Sequence, residues 1–243
     1  MRDWLDAYSS HTFTAYSASH LAALGIMAAL LLTLYAGRRW ISQSNRRWRL
    51  TRAALAVVLI LCELSLNLWY VTEGIYNVKD TLPLELCTIS LYMCVVMLIW
   101  RSRAIFQIVY FTGIGGALQA LLTPVLYYDF PHYRFIEFFA AHIAIMLAVL
   151  YMVWVEGYRP TLKSIAITMG FLNVLAGVVY VINTITGGNY MFVSRKPDTP
   201  SLLDLLGPHP WYILSLEVVA VVLFLLLYLP FTWKRKAARE LDA

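Results

Sequence analysis

Seven runs of apolar residues, at 18–36, 52–72, 84–100, 104–122, 136–155, 163–183 and 211–231, leave this chain very little choice of fold. Each comes close to the roughly 20 residues that carry a helix across about 30 Å of hydrocarbon. A backbone inside lipid must satisfy its own hydrogen bonds, and a helix does so within one segment. Only 14% of the 243 residues are charged while 60% are hydrophobic, too little polar surface to cover a water-soluble fold of this size. The expectation is all-α: a single domain over 1–243, a polytopic membrane protein built as a seven-transmembrane-helix bundle. The first run reads as a retained span, because Asp3 and Asp6 stand where a signal peptide would be basic and no small-residue cleavage site follows.

The positive charges alternate along the chain. Arg38, Arg39, Arg46, Arg47, Arg49 and Arg52 crowd the first connection, Arg101 and Arg103 the third, and Arg159 and Lys163 the fifth. Lys234, Arg235, Lys236 and Arg239 follow the last run. The other connections and the N-terminus hold Arg2, Lys79, Arg134, Arg195 and Lys196 alone. Positively charged connections stay in the cytoplasm, so the pattern predicts an N-terminus outside and a C-terminus inside. The net charge of +5 then reports topology and anionic lipid, with no basic stripe suited to nucleic acid. Three cysteines, Cys62, Cys87 and Cys94, all lie within the runs, so neither a disulfide framework nor a metal site is expected, and no cofactor motif is present.

Ionisable groups within a membrane are costly and point to function. Here they gather toward one side. Glu63 lies midway along the second run with Asn67 one turn on, where the two can satisfy each other. Glu85 and Cys87 open the third run, Gln119 closes the fourth, Glu137 and His142 open the fifth, Tyr180 and Asn183 close the sixth, and Glu217 lies near the start of the seventh. Gly113, Gly115, Gly116 and Ala120 read as small residues for close helix packing. The segment 184–210 is the longest connection, an outer cap in which "SLLDLL" could form a short amphipathic helix. The asymmetry suggests a polar pocket open to the outer leaflet.

Pro83 suits the first turn of a helix, which places Cys87 near the positive end of the helix dipole, where a thiolate is favoured. His142 is the one histidine expected inside the membrane, at a similar depth; His11, His20, His132 and His209 fall at the outer surface or interface. A thiol with an imidazole in reach is the minimal equipment for acyl transfer through a thioester. Amides of Asn67, Asn183 or Gln119 could steady the oxyanion. Glu85 is two positions from Cys87 and faces elsewhere, so it reads as an orienting group, and a third catalytic member would come from Glu63 or Glu217.

The strings "LPLELC" at 82–87, "EFFAAH" at 137–142, "NYMFVSRKP" at 189–197 and "LLDLLGPHPWYILSLE" at 202–217 resemble the YwaF-type bacterial integral membrane proteins over most of the chain. Around the Cys and His motifs the chain is also similar to the eukaryotic transmembrane acyltransferase that loads ether-linked lysophospholipids. That second resemblance implies Cys87 as nucleophile and His142 as catalytic histidine, with phospholipid and lysophospholipid as partners, and the first implies a bacterial plasma membrane. The expected function is therefore a phospholipid acyltransferase or lipid-acyl hydrolase. The alternative is a non-enzymatic receptor or small-molecule transporter that binds its ligand through Glu63, Asn67, Glu85 and Glu217.

Overall fold

A computed structural model describes residues 4–9, 12–197 and 202–241, which form seven α-helices and, among the described residues, no strand. They are α1 (Ala18–Ser42), α2 (Asn45–Thr72), α3 (Leu86–Trp100), α4 (Arg103–Leu122), α5 (Tyr133–Trp154), α6 (Leu162–Thr186) and α7 (Trp211–Leu241). Arg2, Asp3 and His11 lie outside the described residues, as do the side chains of Lys234, Arg235, Lys236 and Arg239. Six helices are long and apolar enough to cross a membrane, α7 over Trp211–Thr232.

The third run departs from expectation. Its helix has 15 residues, a rise of about 22 Å, and begins at Leu86 instead of 84. Pro83 is not in the first turn. The Leu84 N–H donates to the Leu82 carbonyl at 2.7 Å across it, a γ-turn that commits the backbone before the helix starts. The "SLLDLL" stretch likewise forms only a 3-10 turn over Leu202–Leu206.

The chain divides into two compact units, Met1–Tyr76 with Cys87–Tyr158, and Asn77–Leu86 with Arg159–Ala243. In the first, α5 is the central helix. Of its apolar window 67% is buried, against 17% for α1, and it packs on α4, α2 and α1. Contact with α4 is close because Gly113 has no side chain: a Cβ there would come within 3.2 Å of Ile145 Cγ2 and Val149 Cγ2. Phe106, Phe111, Leu121, Ala148 and Met152 fill the remainder of this core.

Two polar clusters mark the ends of this unit. At one end the N-terminal segment is sewn down through four successive carbonyls. Trp4 O accepts from the Tyr133 N–H at 2.7 Å, Leu5 O from Trp69 Nε1 at 2.7 Å, Asp6 O from His132 Nε2 at 3.0 Å and Ala7 O from the Tyr128 hydroxyl at 2.8 Å. At the other end Glu156, its side chain 1% exposed, takes Arg101 Nη2 at 2.8 Å and has Arg52 Nη1 at 3.9 Å. The Trp48 ring lies beneath both guanidinium groups, at 4.4 and 4.6 Å. The start of α2, the end of α3 and the end of α5 therefore meet at one end, so α3 runs antiparallel to α2.

In the second unit α6 packs on α7. Thr161 and Ser164 form a reciprocal cap at the start of α6, and Gly187, at φ 73°, ends it in the left-handed conformation. Tyr190 is buried and bonded at both sides of its hydroxyl, donating to Val78 O and accepting from the Leu82 N–H, each at 2.8 Å. Met191 and Phe192 follow at φ 55° and 52°, a conformation that costs a side-chain-bearing residue about 1–3 kcal/mol. Glu85 accepts from the Met191 N–H at 3.2 Å, and the Tyr212 hydroxyl donates to Phe192 O, so the strained pair is held from two directions.

Candidate functional site

Cys87 is the second residue of α3 and is half-buried. The N–H groups of a first helical turn have no partner within the helix and carry the positive end of its dipole. The thiol faces α4: its Sγ lies 3.6 Å from the point where a Cβ on Gly116 would be. One turn further on, the Ser90 hydroxyl donates to Thr112 Oγ1 at 3.2 Å. Cys87 opposite Gly116 and Ser90 opposite Thr112 define one antiparallel register between α3 and α4.

His142 is buried in α5, and its Nδ1 lies 2.7 Å from the Phe138 carbonyl. A carbonyl can only accept, so Nδ1 donates, and in the neutral ring Nε2 keeps the lone pair. The ring packs on that of Phe138 with centroids 4.3 Å apart. His142, Ile145 and Val149 follow the i, i+3, i+7 spacing of one helix face, and the last two are those that meet Gly113 on α4. Gly116 is one turn from Gly113, and His142 one turn from Ile145, in the same direction. Thiol and imidazole therefore stand at a common depth, within about one 5 Å turn of each other along the bundle, both on sides turned to α4.

The carboxylates of this unit are engaged. Glu63 Oε1 accepts from the Tyr92 hydroxyl at 2.6 Å and from Asn67 Nδ2 at 2.8 Å, and Asn67 also donates to the Glu63 carbonyl at 2.9 Å. Glu137 is buried and paired with Arg134, one turn before it. Glu63 and Glu137 lie within electrostatic reach of each other and of Cys62. Nearby, the Tyr133 hydroxyl donates to Ser65 Oγ at 2.8 Å, and the Ser65 hydroxyl donates in turn to Cys62 O at 2.9 Å.

Other expected pocket residues stand elsewhere. Gln119 is exposed, because Ala117 and Leu121, one turn apart, form the packed face of α4 and Gln119 falls between them on the far side. Tyr180 is 54% exposed for the same reason, with Val179 and Asn183 forming the packed face of α6. Asn183 is buried but committed: its amide donates to Tyr190 O at 3.0 Å and accepts from the Tyr190 N–H at 2.9 Å. Glu217 is half-buried with no hydrogen bond or ion pair among the described residues, and Glu85 serves the Met191 N–H. Tyr92, Arg134 and Glu156 escaped the sequence reading. A charge three positions from Glu137 was the available signal for Arg134; Tyr92 offered none.

A family model described as the TMEM164 family matches residues 15–228. No curated protein and no solved structure matches. The chain belongs to the TMEM164 family, a family of transmembrane proteins.

Proposed function

We propose that this TMEM164-family protein is a membrane-embedded phospholipid acyltransferase, or a lipid-acyl hydrolase where water takes the place of the acceptor. His142 Nε2 removes the Cys87 proton and the thiolate adds to the ester carbonyl of a donor phospholipid. The acyl carbon–oxygen bond then breaks, the lysophospholipid leaves with the proton from His142, and a thioester remains on Cys87. An acceptor hydroxyl gives its proton to His142, attacks the thioester, and the thiol is regenerated.

What supports this reading is the helix register: Cys87 Sγ faces Gly116 on α4, and His142 follows the face of α5 whose Ile145 and Val149 meet Gly113 one turn away. The Phe138 carbonyl does the work of a third catalytic member by committing Nδ1. Asn67 and Asn183 are bonded elsewhere and Gln119 is exposed, so the first-turn N–H groups of α3 are better suited to hold the oxyanion.

The same reading takes all seven helices as crossings, with the N-terminus outside and the C-terminus in the cytoplasm of a bacterial cell. It draws on the charge alternation and on the meeting of Arg52, Arg101 and Glu156 at one end, which has α3 reverse direction as a crossing would. The outer leaflet of the plasma membrane would then supply the substrate. The test is intact mass after incubation with a diacyl phospholipid. Wild-type protein gains one acyl chain, Cys87→Ala gains none, and His142→Ala gains it at least about a hundredfold more slowly. Absence of an adduct, together with unchanged lipid in all three, would falsify the reading.

A further inference from the structure

We propose that Arg134 binds the headgroup phosphate of the phospholipid substrate and so sets which ester reaches Cys87 and His142; this rests on the function proposed above. Among the described residues of the first unit, every other Lys or Arg lies near the end of α1, near the start of α2 or at the turn between α3 and α4. Arg134 stands alone at the opposite end, in the first turn of α5. Its side chain is 17% exposed, enough for an anion to reach it from the membrane interface.

The ion pair with Glu137 folds the guanidinium back along the helix to the level of Glu137, over the Trp69 ring at 5.8 Å. It occupies one nitrogen, Nη1, and Arg134 makes no other side-chain hydrogen bond among the described residues. The remaining N–H groups form the fork that matches phosphate oxygens.

The spacing also fits. Arg134, Phe138 and His142 recur every four residues along one stripe of α5. With the guanidinium drawn to the level of Glu137, five residues separate it from His142, a rise of roughly 7 Å. In a glycerophospholipid five or six bonds join the phosphorus to an ester carbonyl carbon, about 6–8 Å when extended. A phosphate on Arg134 therefore leaves an ester at the depth of the imidazole, with Phe138 against the glycerol. A neutral diacylglycerol has the same esters and lacks the anchor.

The experiment compares a diacyl phospholipid with the diacylglycerol of identical acyl chains, offered at equal mole fraction to purified full-length protein. Wild type is expected to turn over the phospholipid at least about tenfold faster, through KM more than kcat, since charge-assisted hydrogen bonds are the strong ones. Arg134→Gln brings that ratio close to one, and Arg134→Lys restores part of it. An unchanged ratio in Arg134→Gln overturns the proposal.

Retention of the two lipids by native mass spectrometry is measured in parallel on Cys87→Ala protein. If wild type turns over neither lipid, the parent reading fails and retention decides this one. Selective loss of phospholipid from the Arg134→Gln double variant upholds it, and equal retention overturns it. Displacement of the bound lipid by excess inorganic phosphate, as complete as by excess phospholipid, assigns the site to a soluble anion and also overturns it.

Discussion

The Tyr92 hydroxyl donates to Glu63 Oε1 at 2.6 Å and thereby ties α3 to α2. Hydrogen bonds between helices in membranes contribute less than their desolvation would suggest, with a maximum near 2 kcal/mol. Tyr92→Phe should therefore destabilise the protein by about 0.5–2 kcal/mol. Glu63→Gln in the same background should add less than it costs alone. Thermal unfolding in detergent of both single variants and the double variant measures the coupling; full additivity would show that the contact contributes nothing.

Gly116 faces the thiol, and the distance of 3.6 Å is an ordinary van der Waals contact for a new Cβ. Gly116→Ala should leave alkylation of Cys87 by a lipophilic maleimide within about twofold of wild type, while the branched side chain of Gly116→Val should slow it about tenfold, as overpacking displaces neighbours. Cys62→Ala and Cys94→Ala in the background make the label specific. Equal labelling in Gly116→Val would place the thiol away from α4.

His132 caps α5 and also holds the N-terminal segment. Its Nδ1 accepts from the Arg134 N–H at 3.1 Å while Nε2 donates to Asp6 O, a pattern that needs the neutral ring. Burial lowers its pKa from the ordinary 6.5, with Arg134 adding to the effect and Asp6 and Glu73 opposing it. The unfolded chain takes up the proton first, so this contribution is complete above the ordinary value and falls as the pH drops below it. His132→Asn keeps a capping side chain and removes the titration. Unfolding temperatures from pH 8 to 5 should decline more steeply in wild type than in the variant; parallel curves would exclude His132 as the source.

Tyr190→Phe removes the acceptor of the partly buried Leu82 N–H and the donor to Val78 O. Leaving such a group unpaired costs about 1–3 kcal/mol, which should open the 77–86 segment locally. Limited proteolysis there should accelerate roughly tenfold. Cleavage at the wild-type rate would mean that other contacts hold the segment.

Contacts within one helix were the most legible: its rise and turn are constant, so the i, i+4 relation of Glu63 and Asn67 announced their contact. Rotation was not legible. Whether Gln119 or Ala117 turns inward depends on which face a neighbouring helix occupies, and apolar runs that are buried on one side and in lipid on the other carry little amphipathic signal. The start of α3 was misplaced because proline is as well suited to a γ-turn as to a first helical turn. Arg134 looked like one of a few stray charges until the ion pair with Glu137 fixed where its guanidinium lies.

The 15 residues of α3 fall about 8 Å short of an average hydrocarbon slab. A bilayer relieves such hydrophobic mismatch by thinning locally or by letting polar flanks sink inward. With α3 taken as a crossing, as proposed above, and Cys87 its second residue, the shortfall would bring the carbonyl and water region of the leaflet down toward the sulfur. The thiol, deep when counted from the ends of the longer helices, would then be shallow when measured from the nearest hydrated surface.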